Sequence, residues 1–91
     1  MTALVVVDLK IKDEEKWQEY GSSAGPIVAK FGGELVGRGP VETLHGEADY
    51  PIKVVIKFPD KETAKRWYNS EEYQSVIPTR NAGADSVFHL I

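Results

Sequence analysis

The chain has no cysteine. That excludes a thiol nucleophile, a redox dithiol, an iron–sulfur cluster and a cysteine-held zinc, and it leaves no disulfide to brace the fold. Long hydrophobic runs are missing too. The longest, Ala3 to Val7, stops at Asp8, far short of the roughly 20 residues that cross a bilayer. No basic n-region precedes it, so the sequence predicts no signal peptide and no membrane partner, and it reads as cytoplasmic. Positive charge is in deficit. Lys and Arg number 11 against 14 Asp and Glu, a net charge of −3, which argues against a nucleic-acid partner. Histidine is down to His45 and His89, far apart in the chain and unlike the closely spaced ligand pairs of metal sites. What is present is apolar and aromatic: 42% hydrophobic residues, with two Trp, four Tyr and three Phe in 91 residues. This is too rich for disorder. It predicts one domain over residues 1–91 with a thin core that needs a partner surface.

Hydrophobic spacing sets the expected elements. Ala3, Val5, Val7, Leu9 and Ile11 fall on one parity and predict a strand. The other parity starts apolar at Leu4 and Val6, so part of that face should be covered. Residues 13–31 predict a helix, with Trp17, Tyr20, Ala24, Ile27, Val28 and Phe31 on one face, acids in the first turn, and Gly32-Gly33 as its stop. Pro26, with Gly21 and Gly25 beside it, should kink this helix or divide it into two pieces. Glu34 to Arg38 predicts a short strand running into a turn or bulge at Gly37-Arg38-Gly39-Pro40, and Val41 to His45 is expected to carry the strand on past the bend. After a polar loop, Ile52 to Phe58 alternates as a strand. A second helix opens at Asp60, is interrupted at Asn69-Ser70 where Ser70 can cap a fresh turn, and is limited by Pro78. Asn81 to Asp85 is expected to be a loop, and Ser86 to Ile91 a final strand. The order β-α-β-β-α-β predicts a ferredoxin-like α+β sandwich, a four-stranded antiparallel sheet with two helices on one face. Leu4, Val6 and Val55 on the other face point to a second copy of the chain.

Two short motifs lack their context. Gly21-Ser22-Ser23-Ala24-Gly25 has the spacing of a hydrolase nucleophile elbow, but it lies inside an amphipathic helix rather than between strand and helix. Gly37-Arg38-Gly39 starts like a dinucleotide fingerprint, but the third glycine is absent and no helix follows. The densest polar-aromatic group is Trp67-Tyr68-Asn69-Ser70, followed by Tyr73 and Arg80. Trp67 reads as core. Tyr68 and Tyr73 can bury a ring while aiming a hydroxyl at a cavity. Arg80 can pair with a ligand's carboxylate or with Glu71 or Glu72. Lys61, Lys65 and Arg66 read as a solvated helix face.

These stretches resemble the family known as domain of unknown function 1330, within the dimeric α+β barrel superfamily. The resemblance rests on Gly32 to Gly39, Glu42 to Gly46, Val54 to Pro59, and Trp67 to Gln74 with Pro78 and Arg80. It implies a ferredoxin-like protomer whose sheet packs on a second sheet, and Glu42 to Gly46 as a bent strand; it implies no reaction. Where the family often has Glu before the glycine and an acidic residue near the chain end, this chain has His45 and His89. That paired exchange predicts that the two positions meet across a dimer. Two functions of different class follow. In the first, a homodimer binds or converts a small polar or aromatic metabolite without a tightly held cofactor. Arg38, Tyr68, Asn69, Tyr73 and Arg80 orient an anionic or carbonyl group, and His45 is the base. In the second, the protein is a non-catalytic structural or interaction module whose sheet face serves assembly alone.

Overall fold

The computed structural model describes residues 2–91. Its elements are β1 (Ala3–Ile11), α1 (Glu14–Lys30), β2 (Glu34–Pro40), β3 (Ile52–Phe58), α2 (Lys61–Asn69), α3 (Glu71–Gly83) and β4 (Ala84–Leu90). The four strands form one antiparallel sheet in the order β2-β3-β1-β4. All helices lie on one side of it, and the molecule is a slab of 33 × 31 × 15 Å. This is the expected ferredoxin-like α+β sandwich. Its core is the helix-facing parity of β1 (Ala3, Val5, Val7, Leu9) joined by Phe58, Ala64, Trp67 and Tyr73.

Local chemistry explains the element ends. Asp13 caps α1 by accepting from the Lys16 N–H, and Asp60 caps α2 by accepting from Thr63. Ser70 makes the break expected at Asn69-Ser70. Its hydroxyl donates to the Trp67 carbonyl and accepts from the Tyr73 N–H, so one side chain closes α2 and opens α3.

Three expectations are corrected. The helix over 13–31 is neither split nor in two pieces: α1 is continuous from Glu14 to Lys30 with Pro26 inside it. Pro26 removes only the bond to the Ser22 carbonyl, and both residues are exposed, where water can take that bond's place. Val41 to His45 is not strand. Pro40 already pairs with Ile52, and further pairing would have to use Pro51, which has no N–H. The chain instead leaves the sheet in a loop over 41–51, pinned by the Val41 N–H donating to the Pro51 carbonyl and turned at Gly46 (φ 82°). Asn81 to Asp85 is not a loop. α3 runs through Pro78 to Gly83, and β4 starts at the next residue. Gly83 allows this because it packs on the α1 backbone; a Cβ there would sit 2.7 Å from the Trp17 nitrogen. Its carbonyl also accepts from the Lys12 and Asp13 N–H groups.

The outer face of the sheet carries Leu4, Val6, Val55 and Val87, all half-buried. The register places Val6 between Val55 and His89. Ion pairs flank this strip: Asp8–Lys53 at 3.2 Å and Glu34–Lys57 at 3.6 Å. Among the described residues only the 41–51 loop, where Leu44 is 95% exposed, borders this face.

Candidate functional site

Three of the sequence-predicted site residues come together in the helix layer. Arg80 is 9% exposed and its Nη1 donates to the hydroxyls of Tyr68 (3.1 Å) and Tyr73 (3.2 Å). Its Nε donates to the Asn81 side-chain oxygen at 3.4 Å. The guanidinium lies 4.7 Å from the Phe88 ring centroid and 5.8 Å from that of Tyr68, within cation–π range. Neither Glu71 nor Glu72 reaches it. Glu72 pairs with Lys30 instead, and among the described residues no carboxylate bridges to Arg80. Tyr73, fully buried, also shares a 2.7 Å hydrogen bond with Tyr20 of α1. The result is a chain of polar groups, Tyr20–Tyr73–Arg80–Tyr68, inside an aromatic cage. The Trp67 and Tyr73 centroids are 4.4 Å apart, and those of Tyr68 and Tyr73 5.2 Å.

Burial sets the proton chemistry of this chain. Desolvation pushes the Tyr20 hydroxyl well above the ordinary phenol range, and Tyr73 beside it adds to the effect. Tyr73 is also raised by burial, although the hydrogen bond it shares with Tyr20 and the one it accepts from Arg80 pull it partly back. For Arg80 burial works against the charge, but the phenol acceptors outweigh it and hold its pKa up. The group therefore sets one cation beside two phenols, Tyr20 and Tyr73, that hold their protons.

Tyr20 connects this cluster to an open cleft of about 340 Å³ between α1 and the sheet. Sequence reasoning placed Tyr20 on the apolar helix face but did not assign it to the site. The signal was there: a phenol on a buried helix face must find a hydrogen-bond partner. Gly21, Ala24 and Gly25 form the helix side of the cleft, and Val7, Val54 and Ile56 form its floor. Trp17, Trp67 and Phe88 complete the aromatic wall. Arg38 lies on this cleft and not beside Arg80.

The remaining candidates lie elsewhere. Asn69 is exposed and, with Tyr68, Lys65 and His89, lines a separate hollow of about 320 Å³ on the far side of Trp67 and Phe88. His45 stands on the 41–51 loop. It shares a hollow of about 620 Å³ on the outer sheet face with His89 of the same chain, among Asp8, Lys53 and Asp49. Among the described residues no group of acids and histidines is arranged to hold a metal, and no helix is long and apolar enough to cross a membrane.

The profile of one protein family, a domain of unknown function (DUF1330), matches residues 2–91. The chain belongs to this family. Solved structures share the DUF1330 protein's fold at low identity. A protein of unknown function from Rhodopseudomonas palustris, RPA0582, is 17% identical with a TM-score of 0.80, covering 99% of this chain and 80% of its own. A dimeric ferredoxin-like protein of unknown function from Jannaschia sp. CCS1 is 14% identical, TM-score 0.74, over 100% and 98% of the two chains. SnoaB, a cofactor-independent oxygenase from Streptomyces nogalater, is 11% identical, TM-score 0.73, over 99% and 90%. No curated protein matches the chain.

Proposed function

We propose that this DUF1330 protein is a homodimer in which each protomer binds a small metabolite, largely apolar or aromatic and bearing an oxygen function, in the cleft between α1 and the sheet. The observation that carries the reading is the buried Arg80 charge. It has no carboxylate partner and is passed through Tyr73 to Tyr20, in the wall of the open cleft. A fold gains nothing from an unneutralised buried cation that a well-packed apolar side chain would not supply, whereas a polarised phenol beside a cavity can bind or orient an oxygen. The apolar strip on the outer sheet face supports the dimer, as does the dimeric state given for the Jannaschia protein. SnoaB is described as a cofactor-independent oxygenase, which supports a reading in which a protein of this fold handles a small molecule without a cofactor. The reading does not use His45.

A thermal-shift screen of aromatic and aliphatic metabolites tests it, run on the wild type and on Arg80→Met. The variant is expected to melt at or a few degrees above the wild-type temperature, since about 1 kcal/mol moves the midpoint of a domain this size by roughly 4–8 °C. It should also lose the ligand-induced shift. Unchanged ligand response in a folded variant would favour the second reading, an assembly module whose Arg80 only closes the helix layer through its three bonds to neighbouring side chains.

A further inference from the structure

The α1–sheet cleft has a second polar end, and the sheet is distorted to make it. Leu35 pairs with Ile56, yet Gly37 pairs with Val55, so Val36 is an extra residue bulged out of β2. The bulge reverses the side-chain parity beyond it. Arg38 pairs with Val54, and so shares the helix-facing side of the sheet with Leu35, Ile56 and Val54. In a regular strand Arg38 would face the outside, with Glu34. Bulges that re-aim a single side chain are concentrated beside functional sites. Here the side chain brought to the helix-facing side, itself exposed, is the one cation lining the cleft among the described residues.

Arg38 has no partner. Among the described residues it makes no salt bridge and no side-chain hydrogen bond. Glu14 lines the adjoining hollow with it but accepts from Gln18. Trp67 forms part of the cleft wall. It is 1% exposed and has a buried indole N–H with no acceptor among the described residues. On the opposite side, Gly21 and Gly25 leave the cleft open: a Cβ at either position would meet nothing within 4 Å. A slot floored by a sheet and faced by glycines, with aromatic walls, takes a flat body.

The geometry points to Arg38 as the anion anchor of this cleft, and to an aromatic carboxylate as its ligand class. The inference rests on the cleft reading above and adds the ligand's charge and the residue that reads it. The planar ring system lies between α1 and the sheet, and its carboxylate faces the guanidinium, a geometry that suits bidentate hydrogen bonding.

Calorimetric titration with 2-naphthoate and with methyl 2-naphthoate tests this on the intact protein. The acid is expected to bind at least tenfold more tightly than the ester. Arg38→Gln, on an exposed strand where the fold is not at risk, should weaken the acid at least tenfold and leave the ester unchanged, so that the preference disappears. Arg38→Lys, which keeps the charge and loses the fork, should fall between them. Gly25→Leu should block both probes. If acid and ester bind the wild type equally, or Arg38→Gln leaves the acid's affinity intact, the anchor is overturned while the cleft reading stands. If neither probe binds, the cleft reading and the anchor are overturned together.

Discussion

Arg80 places its charge among neutral partners: two phenol oxygens, one carboxamide and two ring faces. Hydrogen bonds to a charged group are worth about 1.5–3 kcal/mol net, and a desolvated cation–π contact about 2. Burying an ion costs several. The buried charge therefore depends on these partners, and a change in either phenol should be felt. Tyr20 and Tyr73 make this testable through pH. Their folded pKa values lie above the ordinary value of about 10. Below pH 10 they are protonated in both states and contribute no slope. Above it the unfolded chain releases both protons while the folded chain keeps them, so stability falls as pH rises, by about 1.4 kcal/mol per phenol per pH unit. Urea unfolding at pH 8 and pH 11 should show a larger loss for the wild type than for a Tyr20→Phe, Tyr73→Phe double variant; equal losses would mean that the phenols ionise in the fold. The sequence made three of the four members of this cluster legible. Tyr68, Tyr73 and Arg80 are neighbours along one helical arm, but Tyr20 stands 53 residues from Tyr73, and only tertiary packing brings their hydroxyls together.

At the scale of elements, the glycines sort into two kinds. Gly83 is there for contact: α3 and α1 approach so closely that any side chain meets the Trp17 backbone. Gly83→Ala should therefore force the helices apart and cost about 1–3 kcal/mol, as overpacking does. Gly25 lies inside α1 facing open space. Gly25→Ala should stabilise by about 0.5–1 kcal/mol, because alanine favours the helix and nothing stands in its way. Opposite signs in paired urea titrations would separate glycines kept for the fold from those kept for the cleft. The same distinction explains what could be read ahead. Hydrophobic alternation exposed β1 and β3, and capping residues exposed the break at Ser70, because both are local effects. The end of β2 and the start of β4 depend on partners far along the chain: whether Pro40 finds Ile52, and whether Gly83 docks on α1. The bulge at Val36 is of this second type. Gly37 and Gly39 announced an irregularity, but only the register shows that it turns Arg38 toward the helices.

As a whole, the molecule is two layers thick with one apolar sheet face uncovered, and its 15 Å depth leaves the core shallow. A second sheet stacked about 10 Å away would close that face. Val6, paired with Val55 on one side and His89 on the other, sits at its centre. Val6→Lys should leave the protomer folded, since this side chain is not in the helix-side core, but should shift it to the monomer position in size-exclusion chromatography. A variant that still elutes as a dimer would place the interface elsewhere. The sheet order has a further consequence, one of timing. β1 is an inner strand, yet both of its neighbours, β3 and β4, follow much later in the chain. During synthesis α1 and the β2–β3 pair can form from local contacts, while the Val5–Val7 run waits for partners. Folding that depends on such distant pairings is slow, in the millisecond-to-second range. Until β3 and then β4 arrive, the most hydrophobic strand of the protein keeps open edges, so the nascent chain stays exposed to aggregation until β4 has been made.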